Sequence, residues 1–434
     1  MPETNENSTR SDPIIPLTIG SLSYGPYGVG RDGRRVILVP QTAPGDEAEV
    51  RIVTEKKNYA TGELLRLVKP SPHRQTPPCR YVPACGGCPW QHVSYHHQLA
   101  AKEAIVRESL RRIGGFLEFP LLPIVSSPSE YHYRRRIRLQ CDSSKRLGFH
   151  RASSHELIEI DDCLIADPEL NPRLALAREW AALLMTPLQH IEMVRGDQAG
   201  EVVFAGYSAG DFASGDDRAC SLFLARHPEL FGLVLRGRNW RHTWGDPKVV
   251  ITTEYQIPLS VDADVFSQVN AIGGSGLVRE LLRWGDFHKP DRVLELYCGA
   301  GNFTLPIAAR AGKVCAVEQN RWAVENARQN SRLNRLQNIE WVCADAAQAV
   351  TRLNRRKENF AAIILNPPRS GAKGLERMLP NLRAEKIFYV SCNPSTLARD
   401  LAALKKTGYS LVQIRPFDLF PHTFHVETLA EMRR

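Results

Sequence analysis

Across residues 14–68 apolar and polar positions alternate in short runs, Val36-Ile-Leu-Val39, Ala48-Glu-Val-Arg-Ile-Val53 and Gly62-Glu-Leu-Leu-Arg-Leu67, with turns rich in Gly and Pro between them. A period of two broken so often by turn residues predicts a small β-barrel and leaves no place for a helix. The proline-rich stretch 69–78 then reads as a linker. Ser94 precedes a helical pattern in which Leu99, Val106, Leu110 and Ile113 share one face, and Gly114-Gly115 ends it. Between about residues 121 and 259 the runs predict mostly strands, at 137–140, 201–205, 233–235 and 249–255. From Phe266 onward apolar strands of four to six residues alternate with helical stretches, the pattern of a doubly wound α/β sheet.

In an open α/β sheet ligands bind beyond the carboxyl ends of the strands, so the polar residue that closes each strand is a candidate for chemistry. Five strands in the last third end this way. The run Arg292-Val-Leu-Glu-Leu296 leads into Tyr297-Cys-Gly-Ala-Gly-Asn302 and a helix, with Gly299 and Gly301 letting a ligand approach the backbone. Val314-Cys-Ala-Val317 ends in Glu318, at the spacing of an acid that holds ribose hydroxyls. Trp341-Val-Cys-Ala344 ends in Asp345, Ala362-Ile-Ile-Leu365 in Asn366-Pro-Pro-Arg369, and Ile387-Phe-Tyr-Val390 in Ser391-Cys392-Asn393-Pro394. The series suits S-adenosylmethionine: Glu318 on the ribose, Asp345 towards the adenine, the glycines under the methionine. A phosphate-binding nucleotide site is the rival, but neither a Walker sequence nor GxGxxG is present.

Cys392 stands where a strand should give way to a helix beginning at Pro394, a setting expected to lower the thiol pKa and favour a nucleophile. A buried structural cysteine is the plainer reading, and it is the one taken for Cys315 and Cys343. A methyltransferase needs a nucleophile when its acceptor is C5 of uracil, because that carbon becomes reactive only after addition at C6. The C5 proton must then leave, and the segment Pro421-His-Thr-Phe-His-Val-Glu427 offers Glu427 as the base. Amino methyltransferases place an aromatic residue after Asn-Pro-Pro; Arg369 stands there instead.

Composition narrows the partners. There are 56 Lys plus Arg against 47 Asp plus Glu, a net charge of +9 that favours a polyanion. Arg134, Arg136 and Arg138 are expected on one face of a strand, suited to a phosphate track. The first dozen residues read as a loose polar tail without a signal peptide, and no apolar run is long enough to span a bilayer, so a soluble, cytoplasmic protein is expected. Cys79-x5-Cys85-x2-Cys88 with the distant Cys163 gives four thiols able to hold either zinc or an iron–sulfur cluster.

These features together resemble the RNA uracil-5-methyltransferase family, in particular its branch that methylates 23S ribosomal RNA. The stretches Gly25-Pro-Tyr-Gly-Val-Gly-Arg31 and Val39-Pro-Gln-Thr-Ala-Pro-Gly-Asp46 resemble a TRAM domain, an OB-like RNA-binding barrel. Cys79, Cys85, Cys88 and Cys163 match the family's iron–sulfur ligands, implying a [4Fe–4S] cluster. Phe266-Ser-Gln268-Val-Asn270, residues 297–304, Glu318, Asp345, Ser391-Cys392-Asn393-Pro394 and His425-Val-Glu427 match its motifs in order. The resemblance implies donor contacts from Gln268, Tyr297, Asn302, Glu318 and Asp345, with Cys392 as nucleophile and Glu427 as base. Asn366 stands where the family usually has Asp; an amide accepts a hydrogen bond but not a proton.

The expected architecture is a multidomain α/β protein: a TRAM barrel over 13–70, a central, mainly β iron–sulfur module over 71–262, and a Rossmann-like methyltransferase domain over 263–434. It is expected to act as a monomer on RNA, without a membrane or an obligate protein partner. Alternatives are methylation of the T-loop uridine of transfer RNA, methylation of cytosine, which would want a second cysteine where Arg369 stands, a radical enzyme, for which CxxxCxxC is lacking, and a non-catalytic RNA-binding protein.

Overall fold

The computed structural model describes residues 13–434; the polar tail inferred for residues 1–12 lies outside them. Chain contacts divide the protein into two compact units. The smaller comprises residues up to Pro83 together with Cys88–Ile105 and His422–Phe424; the larger comprises Ala84–Gly87, Val106–Pro421 and His425–Arg434.

In the smaller unit five strands, β1 (Ile14–Leu22), β2 (Tyr27–Asp32), β3 (Arg35–Pro40), β4 (Glu47–Glu55) and β5 (Tyr59–Lys69), close a barrel in the order β1-β2-β3-β5-β4. The alternation seen in the sequence fills it, since Leu17, Ile19, Ile37, Val39, Val50 and Ile52 all point inward. At Gly62 a Cβ would lie 2.2 Å from Val50 Cγ1, so only glycine lets β4 and β5 approach there. The proline-rich stretch after the barrel is tied down. The fully buried Asp46 carboxylate accepts hydrogen bonds from Ala43 N at 2.6 Å and Ser71 N at 2.8 Å, and pairs with Arg74 at 2.5 Å.

Helix α1 (Tyr95–Arg112) forms where the pattern placed it, but its buried face is different. Gln98, Lys102, Val106 and Leu110 are buried, whereas Ile113 is half exposed and Leu99 only partly covered. Gln98 turns inward because its amide satisfies backbone: Nε2 donates to Val93 O at 2.8 Å, and Oε1 accepts from His422 N at 2.8 Å.

In the larger unit the first sheet has seven strands, β6 (Arg136–Cys141), β7 (Leu147–His150), β8 (Leu157–Ile158), β9 (Leu188–Arg195), β10 (Val202–Ser208), β11 (Gly232–Arg236) and β12 (Arg241–Gly245), ordered β12-β11-β10-β9-β6-β7-β8. Strands lie at the positions expected in this region, although the one expected at 249–255 stops at Thr252 and gives way to a 3-10 turn (Glu254–Gln256), and there are two unexpected helices, α2 (Leu174–Leu183) and α3 (Gly215–Arg226). Helix α3 buries little apolar surface beyond Cys220 and Phe223, and its third buried residue is Asp216, whose carboxylate accepts from Met185 N and Thr186 N. A hydrophobic pattern cannot reveal such a helix. Of the arginines expected to form a phosphate track, Arg136 and the exposed Arg138 both bond the buried Glu192, and their neighbour Arg135 pairs with Asp197.

A hairpin, β13 (Lys248–Thr252) and β14 (Pro258–Asp262), precedes helix α4 (Ala271–Gly285) and the last sheet. That sheet holds β15 (Arg292–Leu296), β16 (Lys313–Glu318), β17 (Ile339–Cys343), β18 (Ala362–Leu365), β19 (Lys386–Ser391), β20 (Ser410–Phe417) and β21 (Glu427–Arg433), ordered β17-β16-β15-β18-β19-β21-β20. Helices α5 (Thr304–Ala308), α6 (Arg321–Leu333), α7 (Ala346–Arg355) and α8 (Pro394–Lys405) connect its strands. Strand residues alternate between two cores. Leu294, Leu296, Val317, Ile363, Leu365 and Tyr389 pack with α7 and α8 on one face, and Val293, Val314, Ile364, Phe388 and Val390 with α4 and α5 on the other. Both faces are covered, which is why these strands read as unbroken apolar runs. Among the described residues no helix is long and apolar enough to cross a membrane.

Asp46→Ala should cost about 3 kcal/mol, since it strands two buried N–H groups and unpairs Arg74. Denaturant unfolding of the barrel, followed by hydrogen exchange at Ala43 and Ser71, checks this.

Candidate active site

The polar residues predicted to close the strands of the last sheet gather at one edge of it. Beyond β15 the chain turns through Tyr297, whose φ of +66° is left-handed, and Gly299 and Gly301 at +55° and +100°. At Gly301 a Cβ would meet Leu305 Cδ1 at 2.4 Å, whereas above Gly299 there is open space. Tyr297 N and Cys298 N both donate to Val317 O, at 2.9 and 3.1 Å, which laces the turn to β16. Glu318 closes β16 and is fixed at both oxygens, accepting from Gly299 N at 3.2 Å and Asn320 N at 2.8 Å.

A cleft over this turn is lined by Gln268, Tyr297, Gly299, Asn302 and Asn366, with Val261 and Phe303 as apolar walls. Five of the predicted donor-site residues therefore share one space. Asp345 caps α7, its Oδ1 accepting from Ala347 N at 3.0 Å and Gln348 N at 3.1 Å. The Tyr297 phenol is pushed up by burial, then by the charges of Asp345, Asp400 and Glu318, so these acids surround it.

Glu295 escaped the reading of strand ends because it lies inside β15. It is wholly buried, and desolvation pushes its carboxyl up to about 8 even though Thr304 Oγ1 donates to Oε2 at 2.5 Å; the nearby Glu318 adds to the rise. The signal in the sequence was an acid within an apolar strand, Val-Leu-Glu-Leu.

The second group lies one strand further along. Ser391 on β19 pairs with Thr428 on β21, and this register sets Cys392 and Glu427 beside each other. Helix α8 begins at Pro394 as expected, but its start does not lower the thiol pKa. Asn393 takes the free Ser395 and Thr396 N–H groups with its own Oδ1, at 3.0 and 3.4 Å, and Cys392 stands before that cap. Burial, followed by the Glu427 charge, pushes the thiol up; the charge and hydrogen bond of Arg369 oppose them. Glu427 is buried and pushed up to about 8, again with only Arg369 acting to lower it.

Arg369 is thus a site residue that the sequence offered only as a missing aromatic. Its backbone carbonyl accepts from Asn393 Nδ2 and Thr396 Oγ1, both at 3.2 Å, and its Nη2 lies 3.4 Å from His425 Nε2. The loop that carries it is fastened to α8: Ala372 N donates to Asp400 Oδ2 at 2.8 Å, which also accepts from Tyr389 Oη at 2.6 Å.

None of the ten cysteines is in a disulfide. Cys85 and Cys163, both in the larger unit, are close enough for Cys85 to help raise the Cys163 thiol, although burial is the main cause. Gly87 N donates to Cys85 Sγ at 3.4 Å and Cys79 N to Gln91 Oε1 at 3.2 Å. Four unoxidised thiols fit the donor chemistry of an iron–sulfur site, but among the described residues no three metal-binding side chains are grouped.

Residues 255–433 match the family model described as tRNA (Uracil-5-)-methyltransferase, and residues 14–65 match the TRAM domain. The 23S rRNA (uracil(1939)-C(5))-methyltransferase RlmD of Vibrio cholerae is 31% identical over 435 residues, covering 99% of this chain and 98% of the relative. The chain belongs to the RNA uracil-5-methyltransferase family. The RlmD enzyme of Histophilus somni, another relative in this family, is 33% identical over 96% of this chain and 95% of its own. A crystal structure of the Pyrococcus abyssi tRNA (uracil-54, C5)-methyltransferase in complex with S-adenosyl-L-homocysteine superposes with a TM-score of 0.72 at 26% identity, over 96% of this chain and all of the other. The barrel is accordingly a TRAM domain and the last sheet a methyltransferase fold.

Glu295 and Glu427 make stability depend on pH. An ordinary glutamate ionises near pH 4.3, whereas these hold their protons to about 8 when folded. Their stabilising contribution is complete below the unfolded value and is lost as pH rises through about 8, so the ligand-free enzyme should unfold more easily at pH 8 than at pH 5. Glu427→Gln should flatten that slope in urea titrations at a series of pH values. Arg369→Ala should move alkylation of Cys392 by iodoacetamide to higher pH, measured by peptide mass spectrometry.

Proposed function

We propose that the protein methylates C5 of a specific uridine in 23S ribosomal RNA, with S-adenosylmethionine as the methyl donor, Cys392 as the nucleophile and Glu427 as the base. The observation that carries this reading is the adjacency of the half-buried Cys392 and the buried Glu427 beside Arg369. A thiol for C6 and a carboxyl for the C5 proton are what uracil requires and what oxygen or nitrogen acceptors do not.

The cleft suits the donor. Its glycine turn, shaped by Gly301, exposes backbone at Gly299, Glu318 is held ready for ribose hydroxyls, Asp345 is assigned to the adenine, and Gln268, Tyr297 and Asn302 complete the walls. Bound S-adenosylmethionine would supply an electrophilic methyl group. Arg369 donates to the Cys392 sulfur and so favours the thiolate. Addition to C6 leaves the electron pair at C5, and after methylation Glu427 takes the C5 proton, so that the C6–S bond breaks and the thiolate leaves. The target base must be out of its stack for any of this. Asn366 closes the strand between the two sites and, as an amide, positions a base by hydrogen bonding without exchanging protons.

The choice of 23S ribosomal RNA follows the two named relatives, and the TRAM barrel suits an RNA substrate. The order of Cys79, Cys85, Cys88 and Cys163, with the family resemblance, supports a [4Fe–4S] cluster as a resident group outside the chemical steps. A monomer working in the cytoplasm completes the proposal.

RNA carrying 5-fluorouridine should form a covalent adduct at Cys392, because fluorine cannot leave as a proton. Cys392→Ala should abolish both adduct and methylation, and residual turnover above about a thousandth of wild type would overturn the nucleophile. Glu427→Gln should accumulate adduct on ordinary RNA. Since both groups must lose protons, kcat/KM should rise with pH through about 8, where Glu427 ionises, and go on rising above it because the Cys392 thiol is pushed up as well. Mapping 5-methyluridine in 23S and transfer RNA from cells without the protein decides the substrate. Anaerobically purified protein should hold about four iron and four sulfide per chain; zinc in their place would remove the cluster.

A further inference from the structure

Along the first sheet of the larger unit arginines spend their charge inside the protein. Arg136 and Arg138 share Glu192, Arg195 faces Asp167 and Glu169, and Arg236 and Arg241 converge on Asp264. Helix α6 is different. Arg321, Arg328 and Arg332 lie on one exposed face with Glu325, and among the described residues none of these three arginines is in an ion pair. The opposite face is buried and pinned: Asn326 and Asn330 accept, through Oδ1, from Asp262 N and Ser260 N at 2.8 Å, which lays α6 along β14.

An open cavity of about 440 Å³ lies between this exposed face, β12 and the β13–β14 hairpin, lined by Arg241, Lys248, Trp322, Arg328, Gln329 and Arg332. Its buried acid, Asp262, is already satisfied, by Arg241 at 3.2 Å, Lys248 at 3.3 Å and Asn326 Nδ2 at 2.7 Å. Glu325 is the other acid in the lining, so cations outnumber carboxylates. The Trp322 ring carries guanidinium groups of Arg241 and Arg321, 5.0 and 4.5 Å from its centroid. Unspent cations beside an aromatic plane match a polyanion whose bases can stack.

We propose that this cavity is a second RNA-docking site, which holds backbone phosphates of the substrate at a distance from the target uridine. The proposal rests on the family's RNA methylation and not on which RNA is used. Leu259 and Val261, on the same β14 strand, help line the donor cleft, so RNA would dock against the outer side of the wall that shapes that cleft. Loss of the docking site should leave donor binding intact.

The test is Arg328→Glu/Arg332→Glu in the full-length protein, with binding to an RNA that the wild type methylates followed by anisotropy across a salt series. The dissociation constant should rise on the order of tenfold near 0.1 M salt, and the log–log salt slope should fall by roughly 1.4 to 1.8, the value for two phosphate contacts. Affinity for S-adenosylhomocysteine by calorimetry should stay at the wild-type value. Arg328→Gln/Arg332→Gln, which adds no repulsion, should lower the slope by a similar amount. An unchanged slope in both variants overturns the proposal, as does a lower affinity for S-adenosylhomocysteine in the glutamine variant. If instead the wild type methylates no RNA, the family-based reading has failed, and the salt slopes on any RNA it binds still decide the docking site.

Discussion

A half-buried thiol and a buried carboxyl that must each shed a proton lie side by side, and one guanidinium makes that arrangement workable. Burial favours the neutral forms of Cys392 and Glu427, the Glu427 charge adds to this at the thiol, and Arg369 is the cation that opposes it at each of them. The rest of the last sheet can be understood as the support for that guanidinium. Asn393 and Thr396 hold its carbonyl, Asp400 and Tyr389 hold the loop behind it, and the pairing of Ser391 with Thr428 fixes the two groups it serves. A shift of one residue in that pairing would turn Glu427 to the opposite face.

The balance is close by design of the surroundings, since a fully charged pair would strain the core and a fully neutral one would be inert. A carboxyl near 8 is poised to accept a proton at only modest cost once a substrate has displaced water. Glu295 presents the same physics without the partner cation. It stands behind the glycine turn, bonded to Thr304, and the nearby Glu318 adds to its rise.

Where the hydrophobic pattern alone determines structure, the fold was legible. The barrel strands, the five strand ends and the start of α8 follow from period and turn chemistry. What the pattern concealed was decided by polar contacts made at long range. Helix α3 rests on Asp216, α1 buries Gln98 and Lys102 in place of Leu99 and Ile113, and Arg135, Arg136 and Arg138 of the basic run pair with Asp197 and Glu192. The same blindness affected the site. Cys392 could be found from its position, but the direction of its pKa could not, because burial and Glu427 are tertiary facts. Arg369 read as an absence because its partners lie 23 to 58 residues away in the chain, from Cys392 to Glu427.

One feature of topology bears on how the enzyme comes into being. Strand β21 is inserted between β19 and β20, both of which precede it in the chain. During synthesis the nucleophile's strand and the outer strand therefore exist before anything can pair between them, and Glu427 comes in on the strand that fills the gap. The pairing of β21 with β19 that completes the sheet is thus also the pairing that brings Glu427 beside Cys392.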